Sequence, residues 1–181
     1  MIYMFLADGF EETEALVTLD MLRRAGFNVK TVGIDSDELT GTHGIIVKSD
    51  IQTDKLCFSE MEAIILPGGM PGTENLFSSK DVNAAVDYCI EKGLAVAAIC
   101  AAPVILGRRG LLQGKKAVCY PGFERELVGA DVSGGLCITD GNIITAKGAG
   151  CVFEFSHAII TLLSEKKTAD RVIAEIQHKG I

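Results

Sequence analysis

Cys100 is the residue of this sequence best placed to act as a nucleophile. It lies within "AVAAICAAPV", residues 95–104, a stretch that carries no charge and no hydroxyl group. An apolar strand is predicted up to residue 99 and a helix from Ala101, so the thiol falls on a strand-to-helix turn like the nucleophile elbow of hydrolases. We expect the positive end of that helix to lower the thiol pKa. The alternative is an inert core thiol, because free cysteines are commonly buried.

Glu14 is the candidate partner that would move protons for such a thiol. Together with Phe10, Val17 and Met21 it recurs at helical spacing, which places its carboxyl group on an apolar stripe. The same spacing assigns Glu12 to the polar side of the helix. Burial and a neighbouring thiolate both raise the pKa of a carboxyl group, so Glu14 could stay protonated and act as a general acid or base. The alternative is a solvated carboxylate that the helix dipole favours at a helix start.

A glycine-rich loop, "LPGGMPG" at residues 66–72, follows another apolar strand. It lacks the G-K-[ST] ending of a phosphate-binding loop and the G-x-G-x-x-G dinucleotide pattern. Loops of this kind expose backbone N–H groups to a ligand. We therefore interpret Gly68 and Gly69 as part of an oxyanion or substrate pocket, in which the N–H groups of Gly69 and Ala101 are the donors.

Alternating strands and helices must position these segments. The pattern predicts strands over residues 2–6, 28–34, 63–66, 94–99, 117–120, 136–139 and 142–145, an edge hairpin over 40–47, and helices over 12–25, 81–92, 101–109, 153–163 and 168–178. Apolar strands that alternate with helices favour an α/β fold with a mostly parallel sheet covered on both faces. We expect a single domain, residues 1–181, with the site at the carboxyl ends of the strands.

Composition excludes several classes of protein. The net charge of −7 argues against a nucleic-acid-binding surface, which needs clustered positive charge. The start of the chain lacks a signal-peptide pattern, and the longest uncharged apolar run, residues 94–106, is too short to span a bilayer. We therefore expect a cytoplasmic protein without a membrane partner. The six cysteines are scattered without a C-x-x-C pair, which predicts free thiols and no metal site.

Four motifs together identify a resemblance to a known family. "GFEETEA", "LPGGMPG", "AAICAAP" and "AKGAGCVFEFSHAI" follow one another in register between about residues 2 and 163. This combination resembles the ThiJ/PfpI superfamily and, within it, the DJ-one branch. The resemblance implies a flavodoxin-like three-layer sandwich, a homodimer and no cofactor. It also implies that Cys100 is an oxidisable nucleophile, that Glu14 is a protonated glutamate beside it, and that Gly69 and Ala101 supply backbone donors next to the sulfur.

The chain also departs from the family pattern. Tyr120 stands before Pro121 where some family members carry histidine and bacterial members can carry an aromatic residue, and none of the three histidines lies at that motif position. A Cys–His proton relay is therefore in doubt, and Tyr120 is assigned to the substrate pocket. Ala101 follows the cysteine where the protease branch has histidine, which argues against a protease. Arg24 and His43 fall where the family places residues that contact the partner subunit or an anion.

Three functions remain open on the sequence. The first is a cofactor-free glyoxalase- or deglycase-type enzyme, in which the Cys100 thiolate attacks a small reactive carbonyl compound and Glu14 moves protons. The second is a redox sensor or stress-response chaperone, in which an oxidant converts Cys100 to sulfinic acid without substrate turnover. The third is a binding module that has kept the fold and lost the chemistry. The residues do not identify the natural substrate.

Overall fold

The computed structural model describes residues 1–180. Its strands are β1 (Ile2–Leu6), β2 (Val29–Gly33), β3 (Glu38–Thr40), β4 (Ile46–Lys48), β5 (Ile51–Gln52), β6 (Ala63–Leu66), β7 (Ala95–Ile99), β8 (Lys116–Ala117), β9 (Asp131–Val132), β10 (Cys137–Asp140) and β11 (Ile143–Ala146). Its helices are α1 (Glu12–Arg24), α2 (Gly72–Ser78), α3 (Lys80–Lys92), α4 (Pro103–Arg108), α5 (Val152–Leu163) and α6 (Lys166–Glu175). Strands and helices therefore alternate along most of the chain, as predicted.

A seven-stranded sheet forms the middle layer, in the order β10-β11-β7-β6-β1-β2-β5. All neighbours pair in parallel except β10 and β11, which form an antiparallel hairpin at one edge. Side chains alternate between the two faces of the central strand, so Met4 packs in the core beneath α1, α5 and α6, whereas Phe5 packs in the core beneath α2, α3 and α4. This three-layer arrangement confirms the predicted mostly parallel, flavodoxin-like sandwich.

The structure differs from the sequence-based expectation at several short elements. The hairpin predicted over residues 40–47 exists as β3 and β4, but it forms a two-stranded sheet of its own. The strand predicted over 117–120 is reduced to β8, which pairs only with β9. The helix predicted from Ala101 begins at Pro103, because Ala101 and Ala102 form a turn. Helix α2 was not predicted, since it begins inside the glycine-rich loop.

The lengths and hydropathy of the helices also bear on membrane association. Within residues 1–180, none of the helices combines the length and the apolar character that a membrane crossing requires. The longest helices, α1 and α3, each keep one polar face.

Candidate active site

Cys100 lies directly after β7 and adopts a strained backbone conformation. Its φ of +64° is in the left-handed region, which residues other than glycine rarely adopt. Two neighbours hold this conformation: the Cys100 N–H donates to the Ala146 carbonyl at 2.9 Å, and its carbonyl accepts from the Tyr120 N–H at 2.8 Å. The thiol thus lies on a sharp turn between a strand and a helix, which is the elbow geometry that the sequence predicts.

Glu14 lies in the first turn of α1 and is buried, with 1% of its surface exposed. The Gly68 N–H donates to its Oε2 at 2.8 Å. Its Oε1 is also buried and has no hydrogen-bond partner within residues 1–180. Burial raises the pKa of the Glu14 carboxyl to about 7, against the opposing effect of the Gly68 N–H. At neutral pH this carboxyl can therefore hold a proton, and Oε1 is the free position for it.

The pKa of Cys100 is raised, which corrects the expectation from the sequence. Burial and the nearby Glu14 carboxylate raise the pKa of the thiol to about 12, although the N–H groups of Ala101 and Gly69 lower it. The helix dipole contributes little because α4 is only 6 residues long and begins three residues later, at Pro103. Desolvation and a like charge outweigh the two N–H donors.

Cys100 and Glu14 are coupled acids, since each is among the causes that shift the pKa of the other. Coupled acids lose their protons in two steps that belong to the pair. Between pH values of about 7 and about 12 the pair therefore carries one negative charge. That charge can reside on the carboxylate with a neutral thiol, or on the sulfur with a protonated Glu14. The second form is a thiolate with an acid next to it.

The glycine-rich loop packs directly against this pair. A β-carbon built on Gly68 would lie 2.6 Å from Cys100 Cβ and 2.8 Å from Glu14 Oε2, so no larger residue fits there. The Gly68 N–H is bonded to Glu14, so Gly68 positions that carboxyl group, and the predicted oxyanion donors stay the N–H groups of Gly69 and Ala101. Gly69, at φ +91°, approaches the Gly9 carbonyl so closely that a β-carbon would overlap it. The N–H groups of Gly69 and Ala101 lower the pKa of the Cys100 thiol.

Tyr120 lies at the mouth of the site and is half exposed. A β-carbon built on Gly148 would lie 3.4 Å from Tyr120 Cδ2 and 3.8 Å from Glu14 Oε1. The Tyr120 N–H also bonds to the Cys100 carbonyl, so the backbone of Tyr120 adjoins the elbow while its ring lies beside Gly148. The structure therefore brings Tyr120 together with Cys100 and Glu14.

Arg24 and His43 bond to other residues within this chain. Arg24 Nε donates to Asp20 Oδ2 at 2.7 Å at the exposed end of α1. His43 Nδ1 lies 2.7 Å from Glu12 Oε2, in the loop between β3 and β4. Neither side chain hydrogen-bonds to Cys100 or Glu14 within the described part of the chain, so their proposed contacts with a partner subunit or an anion stay predictions.

Glu12 is buried, although helical spacing assigned it to the polar side of α1. Its carboxylate accepts hydrogen bonds from the His43 N–H at 2.7 Å, from His43 Nδ1 at 2.7 Å and from Thr42 Oγ1 at 3.2 Å. Burial alone would raise the pKa of Glu12, but the bonds from His43 and neighbouring N–H groups lower it to about 2. The assignment was wrong because the loop of residues 41–45 covers this side of the helix, a tertiary contact without a local signal.

A Glu12→Gln variant is expected to lower the free energy of unfolding by about 1–2 kcal/mol at pH 7, because it removes the charge that pairs with His43. The loss is modest because His43 is exposed and water partly screens the pair. The folded pKa lies below the usual 4.5, so the stabilisation is present above pH 4.5 and is lost as the pH falls toward 2. Urea unfolding at pH 7 and pH 3 measures the difference. Glu91→Gln, at an exposed position, is the control. An equal loss at both pH values would contradict this role of Glu12.

A possible cation cluster exists at the same place. Glu11, Glu12 and His43 each offer a ligand atom, and these atoms lie within 4.8 Å of one another. Hydrogen bonds already account for the arrangement, because Glu11 Oε2 caps α1 by accepting from the Glu14 N–H at 2.6 Å and Glu12 holds His43. The cluster is therefore interpreted as the anchor of the β3–β4 loop.

Comparisons with known proteins agree on one family. The model of the "DJ-1/PfpI family" matches residues 1–162. The chain is 36% identical to Protein DJ-1 homolog B of Arabidopsis thaliana over 92% of its own length, but it spans only 39% of that protein and 44% of homolog A. It is 31% identical to Protein dj-1beta of Drosophila melanogaster, covering 92% of this chain and 91% of the relative. It is 30% identical to Deglycase PfpI of Pyrococcus furiosus, covering 87% and 95%.

Solved structures give the same result. A structure described as oxidized DJ-1 from Toxoplasma gondii superposes with a TM-score of 0.94 at 32% identity, covering 99% of this chain and 98% of the other. A mutant of a DJ-1 superfamily protein from Salmonella typhimurium superposes with a TM-score of 0.93 at 31% identity, with the same coverage of 99% and 98%.

Proposed function

Because the chain belongs to the DJ-1/PfpI family, we propose that it is a stress-protective enzyme that removes small reactive carbonyl compounds through Cys100 and Glu14 without a cofactor. The observation that carries this proposal is the buried Glu14 carboxyl, with one oxygen unpartnered within residues 1–180, coupled to a thiol on a strained elbow. Relatives named deglycases, such as that of Pyrococcus furiosus, support the same class of reaction. A glyoxalase- or deglycase-type reaction is the finer form of this proposal.

The first chemical step is an addition to the carbonyl carbon. With the shared proton on Glu14, the Cys100 sulfur carries the negative charge and forms a bond to the carbonyl carbon, while the C=O π electrons move to the oxygen. The N–H groups of Gly69 and Ala101, which lower the pKa of the Cys100 thiol, are the backbone donors that we assign to that oxygen. Transfer of the Glu14 proton to the oxygen then gives a neutral hemithioacetal.

The second step uses the carboxylate that the first step leaves behind. For a 2-oxoaldehyde, Glu14 can remove the proton from the former aldehyde carbon, which gives an enediol once the adjacent carbonyl oxygen takes up a proton. Return of a proton to the adjacent carbon, with loss of the proton from the hydroxyl group on the carbon that bears sulfur, then gives a thioester with a hydroxyl group next to it. Water then hydrolyses the thioester, releasing a 2-hydroxy acid and the thiol. A single carboxyl group with a pKa of about 7 can both give and take protons at neutral pH, so this route does not need a histidine.

Wild-type protein incubated with methylglyoxal tests the proposal directly. We expect methylglyoxal to disappear faster than in buffer and lactate to accumulate in equal amount, both followed by NMR. Consumption no faster than in buffer, or loss of methylglyoxal without lactate, would contradict glyoxalase-type turnover.

Oxidation of Cys100 is a second candidate function. A protonated Glu14 could donate a hydrogen bond to a sulfinate oxygen, which would favour arrest of the thiol at that oxidation level. After mild peroxide treatment, mass spectrometry is expected to find a gain of two oxygens at Cys100 in the wild type and much less in Glu14→Leu. Oxidation spread evenly over all six cysteines would count against a sensor role.

A homodimer is proposed only from the family resemblance, and a cytoplasmic location only from the sequence pattern. Sedimentation velocity of the purified chain tests the dimer: a single species at twice the mass of 19.3 kDa is expected. A monomer at micromolar concentration would contradict it.

A further inference from the structure

An apolar cleft lies beside the candidate active site and is not used by the reaction steps above. It is lined by Tyr120, Pro121, Leu136, Lys147, Gly148, Ala149, Gly150 and Cys151. Two large apolar side chains of this lining are exposed, Tyr120 at 50% and Leu136 at 54%. Exposed apolar side chains that converge on one cleft, instead of being scattered singly, mark a binding surface.

The cleft adjoins the Cys100–Glu14 pair through Gly148. Gly148 forms a shared wall, since a β-carbon there would touch the Tyr120 ring at 3.4 Å and lie 3.8 Å from Glu14 Oε1. Two other lining residues are held to each other, because the Leu136 carbonyl accepts from the Lys147 N–H at 2.9 Å. A group attached to a carbonyl carbon at the sulfur therefore has this cleft next to it.

The chemical character of the lining determines which substituents the cleft can bind favourably. It contains no carboxylate, and its single charged side chain, Lys147, forms no ion pair within residues 1–180. A polyhydroxylated sugar chain would place hydroxyl groups against Leu136 and Pro121, where they lose hydrogen bonds to water without replacement. An aromatic ring suits the same walls, because it can pack on the Tyr120 ring and bury apolar surface on leucine and proline.

We propose that this cleft is a specificity subsite that binds the substituent of the carbonyl substrate, so that the protein prefers aromatic 2-oxoaldehydes to methylglyoxal and to sugar-derived adducts. The proposal deepens the proposed function and rests on it for turnover. Substrate preference then depends on Leu136 and Tyr120, whereas bond formation depends on Cys100 and Glu14.

Turnover of phenylglyoxal and methylglyoxal is the first test. The two aldehydes differ in intrinsic reactivity, so kcat/KM for each is divided by the rate constant of the same aldehyde with a free thiol. We expect the normalised kcat/KM to be roughly tenfold higher for phenylglyoxal than for methylglyoxal. Leu136→Ala is expected to lower that preference about threefold or more, because kcat/KM for phenylglyoxal falls by more than kcat/KM for methylglyoxal. Leu162→Ala, an exposed leucine on α5 outside the cleft, is the matched control and should change neither value. Equal normalised kcat/KM values for the two aldehydes would overturn the subsite. An equal effect of Leu136→Ala and Leu162→Ala on the preference for phenylglyoxal would also overturn it.

Alkylation of Cys100 tests the subsite without turnover. The sulfur displaces chloride from 2-chloroacetophenone or from chloroacetone, so a C–S bond forms, the C–Cl bond breaks and chloride leaves. The measured quantity is the ratio of the alkylation rate with 2-chloroacetophenone to that with chloroacetone, divided by the same ratio for a free thiol. We expect this quotient to exceed one in the wild type and to be smaller in Leu136→Ala.

The two experiments separate the two proposals. Ring preference in alkylation without turnover of either aldehyde would overturn the proposed function and support the subsite. Turnover without ring preference would overturn the subsite alone. A change of oligomeric state in Leu136→Ala, with no ring preference, would show that a second copy covers the cleft and would also overturn the subsite.

Discussion

Cys100→Ser is expected to lower methylglyoxal consumption by a factor of about 10³ or more, to the level of buffer. The serine hydroxyl has almost the same shape but a far higher pKa, so the Glu14 carboxylate cannot generate the nucleophile from it. Loss of the nucleophile should lower kcat and kcat/KM together, because the carbon–sulfur bond exists only after the first chemical step. NMR detection of lactate measures both parameters from one series of substrate concentrations.

A matched cysteine variant shows whether the effect belongs to this thiol. Cys57→Ser changes another partly exposed thiol, whose sulfur lies 3.4 Å from Ser59 Oγ and which belongs to no part of the site. It should keep wild-type turnover. Far-ultraviolet circular dichroism of both variants checks that they fold. Retention of more than about a tenth of the activity by Cys100→Ser would show that another group performs the addition and would remove the basis of the proposed mechanism.

The fold and the positions of the reactive groups could be predicted because their signals are local. Buried strands such as β1, β6 and β7 are short apolar runs that end at polar or glycine-containing turns. The helical spacing of Glu14 with apolar neighbours correctly placed its carboxyl group in the interior. Cys100 was placed on the elbow because the change from an apolar strand to a proline-containing helix start is visible in ten residues.

The electrostatics of the site could not be predicted in the same way, because they depend on contacts between distant segments. The raised pKa of Cys100 results from desolvation and from Glu14, 86 positions away in the chain. Glu12 becomes a buried, ionised carboxylate because residues 41–45 fold over it. The N–H of Gly68 is bonded to Glu14 and is therefore unavailable to an oxyanion. This hydrogen bond depends on how the glycine-rich loop packs on α1, which the sequence does not reveal.

Glu14→Gln is expected to stabilise the protein at pH 8 while it impairs the chemistry. The pKa of Glu14 is about 7 in the folded protein against an ordinary value of 4.5. Between these pH values the Glu14 carboxyl is ionised in the unfolded chain but protonated in the folded protein. Its contribution to the free energy of unfolding therefore falls as the pH rises from 4.5 to 7 and is lowest above pH 7. The shift corresponds to about 3 kcal/mol. Glutamine avoids this cost, and its amide oxygen can still accept from the Gly68 N–H.

The stabilisation should therefore depend on pH. We expect the free energy of unfolding of Glu14→Gln to exceed that of the wild type by about 2–3 kcal/mol at pH 8, or about 4–12 °C in Tm, and to differ little from it at pH 4.5. Urea and thermal unfolding at both pH values measure this. Glu60→Gln, which changes an exposed carboxylate, is the control and should leave the free energy of unfolding unchanged at both pH values. Equal stability of Glu14→Gln and the wild type at pH 8 would show that the carboxyl group ionises without cost and is not held protonated.

The same variant should change the reactivity of Cys100. In the wild type the alkylation rate is expected to rise through a pH of about 7, where the coupled pair loses its first proton, and then to level off. In Glu14→Gln the step near 7 disappears, because no carboxylate is present to take the thiol proton, and the rate rises only at the higher pKa of the thiol itself. Turnover of methylglyoxal should fall by about 10² or more, since general acid–base transfer is lost. A step near pH 7 that persists in Glu14→Gln would assign it to a group other than Glu14, and the coupled pair would then not be the source of the nucleophile.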